Sequence, residues 1–120
     1  MRKELRFSAT HEWVETDGGI AAVGVTDYAA EQMGDIVFVE LPEKGAKIFA
    51  GKPFANIESV KAVSEIFSPV TGIVADINET LLDAPEAINA DAQNVFIVKV
   101  KAESYADGLM SADEYEKLKK

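Results

Sequence analysis

The sequence predicts a mainly β domain, built as a two-sheet sandwich or a flattened barrel, with short helices and a helical segment at the C-terminus. Short apolar runs of strand length recur along the chain, and Gly, Pro and Asp-Gly sequences interrupt them at close intervals. The tail changes character and carries a helix-capping signal. A length of 120 residues, with 48% hydrophobic and 28% charged residues, indicates a single domain over residues 1–120 with a helical appendage over about 103–120.

The predicted strands begin with a hairpin. Residues 12–16 and 20–25 are segments of strand length, and Asp17-Gly18-Gly19 between them supplies the residues that a tight turn requires. Pro and Gly in residues 41–45 and 49–53 mark further turns. The remaining predicted strands are residues 36–41, 54–60, 65–67, 73–77 and 95–101.

Three helical segments are predicted from capping signals. Thr26 is a candidate N-cap and Gly34 a candidate stop, which together predict a helix over Asp27–Met33. Pro85 is tolerated at a first helical position and predicts a short helical turn. The segment 111–114, Ser-Ala-Asp-Glu, fits a capping box and predicts the helix of the tail.

A weak internal echo relates residues 34–40 to residues 72–78, because each is a Gly followed by an apolar run that ends in a polar residue. Two such halves would be joined by a middle hairpin near residues 58–65, although chance similarity between strands would explain the echo equally well. The side chains predicted to be largely buried, with Trp13 also assigned to the core, are Phe38, Ile57, Ile73 and Phe96.

Composition argues against several classes of function. Twelve basic and twenty-one acidic residues leave a formal net charge of −9, which disfavours nucleic acid or an anionic membrane as partner. There is no cysteine and one histidine, His11, and no motif for a zinc protease, a serine hydrolase or a phosphate-binding loop occurs. We therefore expect a chain that is not an enzyme. No signal peptide or membrane span is evident, so we expect a cytoplasmic protein. We also expect it to be a monomer.

One lysine stands out by its position. Lys61 lies between small or apolar neighbours in the middle of a strand–turn–strand pattern over residues 56–67. A hairpin tip presents a side chain to solvent on a rigid base, which suits a lysine that another enzyme acylates. By spacing alone, an ordinary surface lysine is the simpler interpretation.

Several blocks of the chain resemble the glycine cleavage H proteins in order and spacing, over nearly the whole length. This resemblance implies a lipoyl/biotinyl-type barrel-sandwich hybrid with a covalently attached lipoyl group on Lys61. Biotin is disfavoured, because the related biotin domains centre their lysine between methionines, whereas Val60 and Ala62 flank Lys61. The matching blocks are residues 10–14 (Thr-His-Glu-Trp-Val), 34–42 (Gly-Asp-Ile-Val-Phe-Val-Glu-Leu-Pro), 58–62 (Glu-Ser-Val-Lys-Ala) and 68–72 (Ser-Pro-Val-Thr-Gly).

The resemblance also implies a carrier function and a set of partners. A lipoate-attaching enzyme would modify Lys61, and a pyridoxal-phosphate glycine decarboxylase would load the arm with an aminomethyl group. A tetrahydrofolate-dependent aminomethyltransferase would take that group, and a flavin dihydrolipoyl dehydrogenase would reoxidise the dithiol. The carrier would tether and orient the arm while the cofactors supply the chemistry.

Further site residues follow from the resemblance. Glu58, three residues before Lys61, matches a position at which the attaching enzyme recognises the hairpin. Glu12 matches a glutamate of the cleft that holds the loaded arm, where a carboxylate would keep the carried amine protonated. Thr10 and Glu65 fall near positions that border this cleft, although both are also explained as surface residues. Gly72 matches a position at which the backbone bends or approaches another strand closely.

Two departures from the family pattern leave alternatives open. Tyr28 replaces a histidine of the short helix, and residues 91–96 form a shorter loop without the family's glycines and tryptophan. Both changes affect the sheltering of the arm and the docking of partners, and neither touches the attachment hairpin. They motivate the alternative hypothesis of an H-like protein that acts mainly as a lipoyl donor or regulatory substrate for other lipoyl systems. A separate hypothesis, which requires Lys61 to carry no attached group, is an unmodified β-sandwich interaction module.

Overall fold

A computed structural model describes residues 4–119, and within this range it confirms the mainly β fold with a C-terminal helix. The strands are β1 (Glu4–Phe7), β2 (Glu12–Asp17), β3 (Ile20–Val25), β4 (Ile36–Glu40), β5 (Lys47–Ile48), β6 (Pro53–Ser59), β7 (Val63–Phe67), β8 (Val70–Ile77) and β9 (Val98–Tyr105). The helices are α1 (Asp27–Met33), α2 (Thr80–Asp83), α3 (Ala87–Asp91) and α4 (Ala112–Lys119), with a 3-10 turn at Ala92–Asn94. None of the helices in residues 4–119 has the length and apolar character of a membrane span.

The strands of residues 4–119 pair antiparallel in two sheets. One sheet has the order β1-β2-β3-β9-β8-β5, and the other has the order β4-β6-β7. Inward-facing side chains of both sheets form one apolar cluster, in which Val23 and Val100 of the larger sheet join Val39, Ile57 and Ile66 of the smaller one. Burial of these aliphatic side chains is the main force that holds the two sheets together.

The local signals placed the first hairpin and helix correctly. Gly18 and Gly19 both have positive φ, as the tight turn between β2 and β3 requires. Helix α1 covers the predicted residues, the Thr26 hydroxyl accepts the N–H of Ala29 at 3.1 Å, and Gly34 ends the helix with φ 80°. These elements form as predicted because each signal satisfies backbone groups within a few residues of itself.

The strand boundaries differ in several places. The short strands β1 and β5 were not predicted, since their sequences are brief and partly charged. Strand β9 starts at Val98, not at residue 95, because the N–H of Val95 still donates to Ala92 within the 3-10 turn. It also continues to Tyr105, so residues 103–105 are strand rather than part of the helical appendage.

The predicted buried residues are only partly correct. Ile57 is fully buried, whereas Phe38 is 44% exposed, so its assignment to the core was wrong. A bulge between Ile36 and Phe38 interrupts the alternation of β4, and Val39 faces the core in place of Phe38. Ile73 is half-buried because it lies on the outer face of β8, in register with two exposed lysines.

The predicted core residues Trp13 and Phe96 belong to a smaller cluster, together with Phe7 and Tyr115. Trp13 is buried, as predicted, and its indole N–H donates to the carbonyl of Ala92 at 3.0 Å. Phe96 was predicted to be largely buried, but it is half-buried at the edge of this cluster, with the Lys99 ammonium 4.9 Å from the centre of its ring. The segment at residues 91–96 therefore packs against the domain.

Gly72 lies where two strands approach closely, as predicted. A Cβ at this position would be 2.2 Å from the carbonyl oxygen of Lys101 and 2.8 Å from the Val100 side chain. Because the nearest atom is backbone in a paired strand, it cannot rotate away.

We expect Gly72→Ala to lower the free energy of unfolding by about 2 kcal/mol, as overpacking of a filled site does, in a urea titration. Ala75→Ser, which adds one atom on the exposed face of the same strand, should unfold like the wild type. Equal midpoints for both variants would contradict the close approach.

Candidate functional site

Lys61 lies at the tip of the β6–β7 hairpin, as predicted. The N–H of Ser59 donates to the carbonyl of Ala62 at 2.8 Å, which leaves Val60 and Lys61 as the two loop residues. The Ser59 hydroxyl accepts the N–H groups of Lys61 and Ala62, and the N–H of Val60 donates to the carbonyl of Asp35 at 3.0 Å. The backbone of the tip is thus fixed on both sides, while the Lys61 side chain is exposed.

A cleft of about 360 Å³ lies beside this hairpin, between β7, the loop before β2 and helix α1. It brings together four of the predicted site residues with Lys61, and the four are Thr10, Glu12, Tyr28 and Glu65. Its apolar wall comes from Val25, Ala29, Met33 and Ile66.

Glu58 does not line the cleft. It lies on β6, in register with Phe38 on one side and Val63 on the other. Both of these neighbours are exposed. Since side chains of residues in register point to the same face of a sheet, Glu58 belongs to the outer face at the base of the hairpin, next to Lys61 but separate from the cleft.

Glu12 is the buried acid of the cleft, with 2% of its surface exposed. Its carboxylate accepts hydrogen bonds from the hydroxyls of Ser8 and Thr10 and from the N–H of Phe67, the last at 3.2 Å. Burial raises the pKa of Glu12 above its usual value of 4.5, although these hydrogen bonds lower it in part. The cleft therefore holds a carboxyl group that releases its proton reluctantly unless a cation enters.

The other predicted residues border the same space. Tyr28, in the first turn of α1, has its ring 4.8 Å from that of His11. Glu65 is exposed on β7, so it borders the mouth of the cleft. Tyr28 thus forms part of the wall of the cleft, beside the His11 ring.

Sequence reasoning missed Ser8 and the shape of the loop at residues 8–12. The loop closes on itself through Ser8 N–H to Glu12 C=O at 2.9 Å and His11 N–H to Ser8 C=O at 3.1 Å. This places the Ser8 hydroxyl on the carboxylate four residues later. His11 adopts φ 72°, which is rare for a residue other than glycine, and no local sequence signal announces it.

The raised pKa of Glu12 has a consequence for stability. A folded-state pKa above the unfolded value means that the folded protein holds this proton more tightly than the unfolded chain. The protonated Glu12 therefore adds to the free energy of unfolding at pH values below about 4.5, and this contribution is lost as the pH rises through the folded pKa. We expect the free energy of unfolding of the wild type, relative to Glu12→Gln, to fall over that range. Urea titrations of both proteins at several pH values would measure it.

Glu114 provides a contrast of opposite sign. The N–H of Ser111 donates to its carboxylate at 2.9 Å, completing the predicted capping box, and this bond lowers the pKa of Glu114. Relative to Glu114→Gln, the wild type should therefore gain stability as the pH rises to about 4.5. The same sign for both variants would contradict the assignment for Glu12.

A two-sheet β domain that presents a lysine on a braced hairpin tip, beside a partly apolar cleft, has the architecture of a carrier domain. A family model described as "Glycine cleavage H-protein" matches residues 5–120. The chain belongs to the glycine cleavage H-protein family, and its function is that of a carrier in glycine cleavage.

Individual relatives agree with this assignment. The glycine cleavage system H protein of Geobacillus kaustophilus is 47% identical over 117 residues, which cover 95% of this chain and 92% of that protein. The H protein of Treponema denticola is 47% identical over 118 residues, covering 98% and 97%. The crystal structure of a glycine cleavage system H protein from Mycobacterium marinum superposes with a TM-score of 0.91 at 31% identity, covering 99% of this chain and 98% of that one.

Proposed function

We propose that Lys61 carries a lipoyl group as an amide on its Nζ, and that this arm carries the aminomethyl group of glycine from the pyridoxal-phosphate decarboxylase to the aminomethyltransferase. The main observation in support is that the hairpin lysine and the buried Glu12 border one cleft. Dihydrolipoyl dehydrogenase would then return the dithiol to the disulfide. The alternative role as a lipoyl donor for other systems is not favoured, because the relatives are named for glycine cleavage.

The cleft fits a lipoyl group. Its apolar wall suits an aliphatic chain and a dithiolane ring, and its one buried ionisable group, Glu12, suits a cargo that carries an amine. The Lys61 side chain lies against Gly34, which follows the last residue of α1. Its Cε is 3.6 Å from the position that a Cβ on residue 34 would occupy. When bound, the lipoyl group would supply a disulfide that opens to accept the cargo through sulfur.

Glu12 would protect that cargo. A neutral amine on the carbon that bears sulfur can expel the sulfur with its lone pair, whereas an ammonium cannot. An ammonium that enters the cleft favours the charged form of Glu12, which lowers its pKa, and the carboxylate pairs with the ammonium. Because the hydroxyls of Ser8 and Thr10 hold the carboxylate in place, it need not reorganise when the arm arrives.

The remaining residues have supporting roles in the proposal. The Tyr28 hydroxyl would donate a hydrogen bond within the cleft, and Glu65 would border its mouth. Glu58, on the outer face, would be read by the lipoate-attaching enzyme. The chain itself would catalyse no step. Its contribution would be to tether the arm, which raises the concentration of the arm at each partner's active site. A cytoplasmic location and a monomeric state remain predictions.

The experiment that tests this function has two stages. The purified apo protein is incubated with lipoate, ATP and a lipoate ligase, and its intact mass and the modified peptide are determined. The modified protein is then given glycine and the decarboxylase, and the mass of the arm is measured again. We expect one lipoyl group, located on Lys61, followed by one aminomethyl group. A chain that stays unmodified would support the interaction-module hypothesis instead.

A further inference from the structure

The C-terminal helix α4 is anchored to the domain by Tyr115. Among residues 112–118, Tyr115 is buried and the others are exposed. The Tyr115 ring stacks on Phe7 with centroids 4.8 Å apart and planes 8° from parallel. The backbone of Met110 exchanges hydrogen bonds with that of Phe7 at 2.7 and 2.8 Å, just before the helix. Because a helix of eight residues is marginal by itself, the position of α4 depends on these contacts.

The hydroxyl of Tyr115 contacts two segments next to the cleft beside Lys61, which we call the arm cleft. It lies 2.7 Å from Nδ1 of His11 and 2.7 Å from Oγ1 of Thr26. A hydroxyl donates one hydrogen bond and accepts others, so one group can hold both partners. His11 belongs to the loop at residues 8–12, and Thr26 is the N-cap of α1.

His11 and Thr26 both belong to segments that hold groups lining the cleft. His11 is in the left-handed region, a conformation that persists only where the surroundings hold it. Its carbonyl accepts the N–H of Thr26 at 3.1 Å, and its ring packs against Tyr28. The same loop presents the Ser8 hydroxyl to Glu12. A displacement of His11 would therefore move the groups that surround the arm.

We propose that Tyr115 is a positioning residue for the arm cleft, whose hydroxyl fixes the loop at residues 8–12 and the start of α1, and through them Glu12 and Tyr28. The C-terminal helix thereby helps to hold the residues that shelter the carried amine. This inference rests on the proposed function, because it concerns the same cleft.

Tyr115→Phe tests the inference, since it removes the hydroxyl and keeps the ring that stacks on Phe7. Tyr105→Phe is the matched control, because the Tyr105 hydroxyl also bonds to a threonine, Thr16 Oγ1 at 2.9 Å, but on β9 outside the cleft. Amide hydrogen exchange is measured on the unmodified proteins, and release of the aminomethyl group is measured on the loaded ones.

We expect Tyr115→Phe to speed amide exchange at His11 and Thr26 and to speed release by about three- to tenfold, which corresponds to the net contribution of one hydrogen bond. Tyr105→Phe should change neither rate, and both variants should be lipoylated like the wild type. Unchanged exchange and release in Tyr115→Phe would overturn the inference, and so would exchange that rises uniformly over the domain, which indicates a general loss of stability. If the wild type were not modified at Lys61, the proposed function would fail, while the exchange measurement would still decide the role of Tyr115.

Discussion

Lys61→Arg is expected to abolish attachment of the lipoyl group. Amide formation needs an amine that can lose a proton and attack an activated acyl group, and a guanidinium, which stays protonated at any accessible pH, cannot do so. Its length and charge are otherwise similar, so the hairpin should fold and dock as before. With lipoate, ATP and a ligase, we expect the intact mass of the variant to stay unchanged, with at least about a hundredfold loss in the rate of modification, or about 2.7 kcal/mol in the barrier.

Lys52→Arg is the matched control for this experiment. Lys52 is also an exposed lysine in a turn, next to the start of β6, but it does not line the arm cleft. The Lys52→Arg variant should be lipoylated at the wild-type rate. Both substitutions lie on the surface, so urea midpoints should agree within the error of the measurement. Full modification of Lys61→Arg would show that the attachment site is elsewhere.

Glu12→Gln is expected to speed loss of the carried aminomethyl group about ten- to a hundredfold. A charge-assisted hydrogen bond contributes about 1.5–3 kcal/mol, and about 1.4 kcal/mol corresponds to one factor of ten in rate. A glutamine keeps the shape of the side chain but cannot become an anion, so the amine is no longer held as an ammonium. The measurement loads the lipoylated wild type and variant, removes the decarboxylase and follows release over time.

Glu65→Gln provides the control within the same cleft. Its carboxylate is at the exposed mouth, where water and salt screen its interaction with a cation, so release should change less than about threefold. Lipoylation should be normal in both variants, because the attaching enzyme acts on the hairpin. If Glu12→Gln released its cargo as slowly as the wild type, Glu12 would have no sheltering role.

The parts of the fold that could be predicted depend on neighbouring residues. The Asp17-Gly18-Gly19 turn, the Thr26 cap and the capping box of Ser111 and Glu114 each satisfy backbone groups one to four positions away, and each was found in place. The exposure of Phe38 could not be predicted in this way, because the bulge in β4 is decided by pairing with β6. Strand β5 likewise exists only through its pairing with β8.

The candidate site also has some features that local sequence decides and others that tertiary packing decides. The sequence by itself determined that Lys61 lies at a hairpin tip and, through the family resemblance, which residues to compare with an arm cleft. Only the tertiary structure decided that Glu12 is buried and has a raised pKa, since burial depends on β7 and the loop at residues 8–12 closing over it. It also decided that Tyr115, 104 positions from His11, reaches that loop. The physical reason is that turns and caps are local hydrogen-bonding choices, whereas the environment of a buried group is set by chain segments that meet only after the two sheets have packed.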